Sequence, residues 1–248
     1  MSLKIKGSLS EKIETKFFIK RDVLYMYPDF FSATFFGLRK DYSKEYKLTK
    51  EDQSDYFFES MFILMIQIIL CICIWHTPEF YGGKLAYCNN YVLNLCMFSC
   101  VLILHFGSVM TIRNGMNMCM YVTYHSDKFE KPRVAFLLGF MTIFANVFAS
   151  ITNLVMALTQ KDVISVIHKF IGFRILLQIQ DYYLKSRDMF KIKKAVSNDL
   201  VVIVDEKQVK NKFHFVIYKI LRAIYSNLYF YFFPLLIVIQ PMITILTI

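Results

Sequence analysis

The stretch Val134–Leu158, VAFLLGFMTIFANVFASITNLVMAL, runs for 25 residues without a charged side chain. A helix needs about 20 mostly apolar residues to cross the hydrocarbon core of a bilayer. The block is long enough, and its few polar residues are ordered. Ala135, Gly139, Thr142, Asn146, Ala149, Asn153 and Ala157 recur at intervals of 4, 3, 4, 3, 4 and 4. That spacing puts them on one helical face. In lipid, a seam of small and polar residues lets helices approach closely and lets amides hydrogen-bond across the contact. A helix-packing interface is the first reading of this seam. A polar path lined by Asn146 and Asn153 is the alternative.

Three further blocks flank it. They cover 57–75, 91–112 and 225–248, and the first has Gln67 as its only mid-span polar residue. In lipid each backbone polar group must be satisfied within its own segment or a closed barrel, so spans this long are helices. A β-barrel would show many segments of roughly 10 residues with alternating polarity, and that alternation is absent. Composition agrees. The 248 residues are 56% hydrophobic, 17% aromatic and 19% charged, with 25 Phe and 16 Tyr against 8 Gly and 5 Pro. Soluble domains average about 45–50% apolar and about 25% charged. The expected class is an all-α polytopic membrane protein with four clear spans.

A fifth segment, 162–184, reads DVISVIHKFIGFRILLQIQDYYL. Arg174, Gln178, Asp181 and Lys185 lie 4, 3 and 4 apart, on one face. The segment is either an amphipathic helix lying in the interface or an inserted helix whose polar stripe faces protein or water. Charge favours insertion. The region 1–56 holds 11 Lys or Arg, 77–90 only Lys84, 113–133 four, and 185–212 eight. Basic loops stay on the inner side, so 1–56 and 185–212 share a side only if 162–184 crosses or re-enters.

The organisation expected is therefore a charged, aromatic inner-side tail over 1–56 and a membrane bundle over 57–184. A basic inner-side loop over 185–224 and a last span over 225–248 complete it. In the tail, Phe17, Phe18, Tyr25, Tyr27, Phe30, Phe31, Phe35 and Phe36 sit among Lys and Arg. Rings at headgroup depth beside anionic lipid are the first reading, and a docking arm for another subunit is the second. The start, MSLKIKGSLSEKIETKFFIKRD, lacks the apolar core of a signal peptide. In the basic loop, the β-branched run 200–204 is expected as a short strand that leans on a partner or on the tail.

Chemistry is sparse. The cysteines Cys71, Cys73, Cys88, Cys96, Cys100 and Cys119 form no CxxC pair, so no zinc site is expected. His76 and His105 lie at different depths of their spans, which argues against a haem between them. His105 is the best single polar candidate inside a span. Glycine loops for phosphate, catalytic triads and paired carboxylates are not apparent. No cofactor is expected. Net charge is +10, yet acidic residues interleave with the basic ones and no nucleic-acid module surrounds them. Pro234 and Pro241 can kink the last block.

The segment 161–185 resembles a stretch of uncharacterised multi-pass transmembrane proteins of ciliates and other protists. The matching residues are Asp162-Val163-Ile164, Phe170-Ile171-Gly172, and Ile175 to Ile179 with Asp181. His168, Lys169 and Arg174 make this copy more basic. The match spans about a tenth of the chain, and the resemblance implies a multi-pass helical fold and no assigned activity.

Two functions follow as expectations. One is a non-catalytic accessory subunit of a large membrane complex, such as a mitochondrial respiratory-type assembly, with other membrane subunits and anionic lipid as partners. The other is an ion channel or transporter subunit whose polar path runs through His105, Asn146, Asn153, Arg174 and Asp181.

Overall fold

A computed structural model describes residues 21–26, 29–77, 91–186, 201–205 and 212–232. These are helical apart from one two-stranded ribbon and short connections. In chain order the elements are β1 (Arg21–Tyr25), α1 (Phe30–Gly37), α2 (Lys40–Glu45), α3 (Lys50–Trp75), α4 (Tyr91–Tyr124), α5 (Pro132–Leu158), α6 (Val163–Leu177), α7 (Ile179–Ser186), β2 (Val201–Asp205) and α8 (Lys212–Ile224). A π-helical stretch, Tyr225–Phe232, follows α8.

Local chemistry sets the helix starts. At α3, Asp52 N donates to Thr49 Oγ1 at 3.0 Å and Thr49 N donates to Asp52 Oδ2 at 2.9 Å. This reciprocal box satisfies two donors that the first turn would otherwise leave orphaned. Pro132 opens α5, where its missing N–H costs nothing. Asp162 caps α6, accepting from Ser165 N at 2.8 Å.

The helices α3, α4 and α5 are long and apolar enough to cross a membrane. The pair α6 and α7, bent by 51° at its break, passes the same test as one broken span or a re-entrant loop. The outward faces carry large exposed apolar side chains, among them Phe62 and Ile69 of α3, Ile103 and Phe106 of α4, and Phe144 and Ile151 of α5. Apolar patches of that extent are unusual on a monomer in water and are what lipid tolerates. The last expected span, 225–248, enters the described residues only through Tyr225–Phe232. Its Pro234 and Pro241 lie outside them.

A short turn at Ser126–Lys128 joins α4 to α5 as a hairpin. Gly115 and Gly139 mark their crossing. A Cβ built on Gly139 would come 3.0 Å from Gly115 O, Met118 Cβ and Cys119 Sγ. At the far end, Trp75 Nε1 of α3 donates to Thr152 Oγ1 of α5 at 2.8 Å. The helix α6 packs on α4 through Val166, which joins Leu93 and Met97 in a small cluster. Farther along, Phe173 and Leu176 meet Cys71, Leu104 and Ala149.

Several boundaries differ from those expected. The region 1–56 is not a surface tail over its second half. All eight residues of α1 are buried, with Phe30, Phe31, Phe35 and Phe36 each at most 1% exposed. Four rings spread over two turns leave no polar face to lie at an interface. Instead α1 sits against α3, α4, α5 and α7, with Phe30 edge-on to Tyr183 at 5.2 Å. Its polar residues are satisfied internally: Thr34 and Ser60 share a hydrogen bond of 2.8 Å. The helix α3 begins at Lys50, ahead of the span expected from 57. The second span's helix does not stop at 112. It runs to Tyr124, because Met116 to Thr123 are buried by this N-terminal packing and by α5 and α8.

The region 185–224 is not a loop throughout. Over 212–224 it is the helix α8, held by two residues one turn apart. His214 stacks on Phe136 at 4.3 Å, and Tyr218 OH donates to Met120 Sδ at 3.1 Å. The strand expected at 200–204 runs Val201–Asp205 and pairs antiparallel with Arg21–Tyr25, Val23 opposite Ile203. The strands of the chain's two basic regions are thereby paired, and the fold is an all-helical bundle with this one added ribbon.

Candidate functional site

The break between α6 and α7 lies against α3. Gln178 N donates to Arg174 O at 3.1 Å and to Ile175 O at 3.2 Å, closing the last turn of α6. Gln67 of α3 reaches this point. Its Nε2 donates to Leu176 O at 3.0 Å and to Gln180 Oε1 at 3.3 Å. Irregular backbone at membrane depth persists only where protein or a cavity supplies partners, and Gln67 is such a partner.

Beside the break lies a pocket of about 210 Å³ that opens to the outer face of the bundle, where Ile103, Met110 and Arg174 are exposed. Ser108 and Thr111 of α4, Asn146 of α5, Arg174 of α6, and Gln180 and Asp181 of α7 supply its polar lining, with Ile103, Leu104 and Leu177 as apolar wall. Asn146 is 1% exposed. Its Nδ2 donates to Thr142 O at 2.9 Å, while Oδ1 is buried without a hydrogen-bond partner among the described residues. A buried carbonyl oxygen left unpaired costs free energy, so such groups call for an explanation. Arg174 and Asp181 form no ion pair with each other or with another described residue.

A second polar line adjoins the pocket. His105, one turn before Ser108 and 2% exposed, packs its ring 4.9 Å from that of Tyr229. Tyr229 OH donates to Ser150 Oγ at 2.9 Å, and Ser150 Oγ donates to Asn146 O at 2.8 Å. Towards the α1 end, Asp29 caps α1. It accepts from Ser32 N at 2.6 Å and from Asn114 Nδ2 at 3.0 Å. Complete burial pushes the Asp29 carboxyl above the usual carboxylate range, against the pull of these hydrogen bonds, and Asp181 nearby adds to the rise.

Of the residues expected on a polar path, Asn146, Arg174 and Asp181 meet in this one cavity. His105 lies next to it. Asn153 is buried two turns along α5 and does not line it. All seven seam residues, Ala135, Gly139, Thr142, Asn146, Ala149, Asn153 and Ala157, are buried. The seam acts through size. Thr142 Oγ1 donates to Leu138 O at 2.8 Å and Asn146 Nδ2 to Thr142 O, so these groups bond back to their own helix. The expected hydrogen bonds across the contact are not made by them, because i−4 carbonyls lie within easier reach.

Ser108, Thr111, Gln180 and Tyr229 join the site through the tertiary structure. His105, Ser108 and Thr111 do recur every three residues, a helical stripe that could have exposed them. Among the described residues no group of three or more His, Cys, Asp and Glu could hold a metal ion. No family model, curated protein or solved structure matches the chain, so the site is read from its own chemistry.

Proposed function

We propose that this chain is an integral membrane protein that handles a small polar solute, as a channel or transporter subunit. One observation carries the reading: Asn146, whose buried Oδ1 has no hydrogen-bond partner among the described residues, lines a polar pocket beside a broken helix. Broken helices at mid-bundle are a recurring way to offer backbone and side-chain groups to a solute in lipid. In this reading α3, α4 and α5 cross the membrane, α6–α7 crosses as a broken span, and 225–248 crosses last. The basic regions then fall on one side.

The accessory-subunit reading has less support. Its packing seam on α5 is met within this chain, where Gly139 lies against Gly115 of α4, so the seam does not call for a neighbouring subunit.

Reconstituted proteoliposomes test the proposal. Swelling in iso-osmotic glycine, urea, potassium acetate or ethanolamine chloride is compared with that of protein-free vesicles. At least one solute is expected to enter faster, and Asn146→Leu to slow it. Entry and conductance indistinguishable from protein-free vesicles would sink the reading.

A further inference from the structure

The charges around the cavity narrow the class of solute. Arg174 and Asp181 both line it, and neither makes an ion pair with the other or with another described side chain, although Lys185, one turn on, acts on Asp181 through space. A purely cationic solute would be drawn to Asp181 but repelled by Arg174. A purely anionic one would meet the reverse. A molecule bearing both charges answers both groups.

We propose that the cavity binds a small free zwitterion, an α-amino acid with a short side chain. This rests on the cavity being the solute site of the function proposed above. The donor and acceptor inventory fits. An ammonium group carries only donors, and Asn146 Oδ1 is a buried acceptor in want of one. The Asp181 carboxylate supplies the opposing charge. A carboxylate offers only acceptors, which suit the guanidinium fork of Arg174 and the Thr111 hydroxyl, which has no partner among the described residues. Leu104 and Leu177 leave an apolar wall for a few carbon atoms. The volume of about 210 Å³ leaves room for a molecule of amino-acid size. Asn146 stands at the middle of α5, whereas a zwitterionic lipid headgroup would sit at a helix end, so a free solute is the source.

Thermal-shift and calorimetric titration of the full chain in mild detergent tests this. The probes are glycine, alanine, valine, serine and glutamine, their methyl esters, which keep only the cation, and their N-acetyl forms, which keep only the anion. O-phosphoethanolamine stands for a lipid headgroup. At least one free amino acid is expected to bind, with its ester and its N-acetyl form each at least tenfold weaker. Arg174→Gln is expected to erase the advantage over the ester, and Asp181→Asn the advantage over the N-acetyl form. Arg174 is exposed, so its variant keeps the ligand-free melting temperature. An ester or N-acetyl form binding as tightly as its parent, with Asn146→Leu weakening it, overturns the zwitterion and leaves the site. Tighter binding of O-phosphoethanolamine, or no binding by any probe, also overturns it. Amino-acid binding without entry into proteoliposomes upholds this inference and removes the transport reading.

Discussion

Gly115 of α4 and Gly139 of α5 face each other backbone to backbone. A Cβ on Gly115 would lie 2.8 Å from Gly139 O and 2.8 Å from Ile143 Cγ1. No side-chain rotation relieves a clash with a carbonyl oxygen, so the helices must part. Gly to Ala within a helix gains about 1 kcal/mol in propensity, and overpacking costs about 1–3 kcal/mol. Gly115→Ala is therefore expected to lower the unfolding midpoint in detergent. Gly107 and Gly172 have open space at the same position, so Gly107→Ala and Gly172→Ala should be neutral or raise it. A midpoint for Gly115→Ala above that for Gly107→Ala would contradict the close crossing.

Gln67 holds the α6–α7 break from α3. Gln67→Leu keeps the volume and removes the donor to Leu176 O and Gln180 Oε1. Interhelical hydrogen bonds in membranes average about 0.6 kcal/mol, with maxima near 1.7. A loss in that range is expected, with faster amide hydrogen exchange over 174–181. Unchanged exchange there would show that the break needs no support from Gln67.

The burial of α1 makes a sharp distinction between rings that resemble one another in sequence. Phe35 is 0% exposed and Phe58 66% exposed. Phe35→Ala is expected to cost about 3–5 kcal/mol, and Phe58→Ala, facing outward, a small fraction of that. Thermal unfolding of both variants in the same detergent is the check. Equal, small effects would return residues 29–37 to the interface.

Asp29 gives a pH dependence. Its folded carboxyl sits above the ordinary 3.8, chiefly through burial, so the folded chain holds this proton more tightly than the unfolded one. The stability linked to it is full below the unfolded pKa and is lost as pH rises through the folded value. Asp29→Asn removes the titration while an Asn oxygen can still cap α1. Wild type is expected to lose stability more steeply than Asp29→Asn between acid and neutral pH. Melting curves across that range that stay parallel would show that Asp29 does not titrate as described.

Much of the bundle was legible in single segments. Apolar length alone marks α3, α4 and α5 as helices able to cross a membrane, because the hydrophobic thickness of a bilayer fixes how many residues a span needs. The regular 4 and 3 spacing marked the buried face of α5. The run 200–204 read as a strand because β-branched residues stood between turn formers. What a single segment cannot carry is its partner. Phe30 to Phe36 look alike whether the solvent is lipid headgroup or protein, and only the fit of α1 between α3, α4, α5 and α7 buries them.

The same division runs through the site. The sequence alone determined the lipid-compatible helices and the polar stripe of 162–184, since both are one-dimensional patterns with the helical period. The tertiary structure decided that Asn146, Arg174 and Asp181 share one cavity while Asn153 stands apart. It also decided where the 162–184 helix breaks. Those outcomes depend on which helices cross at Gly115 and Gly139 and on Gln67 reaching over from α3. Contacts between residues 109 positions apart, such as Gln67 with Leu176, leave no local trace in composition or spacing.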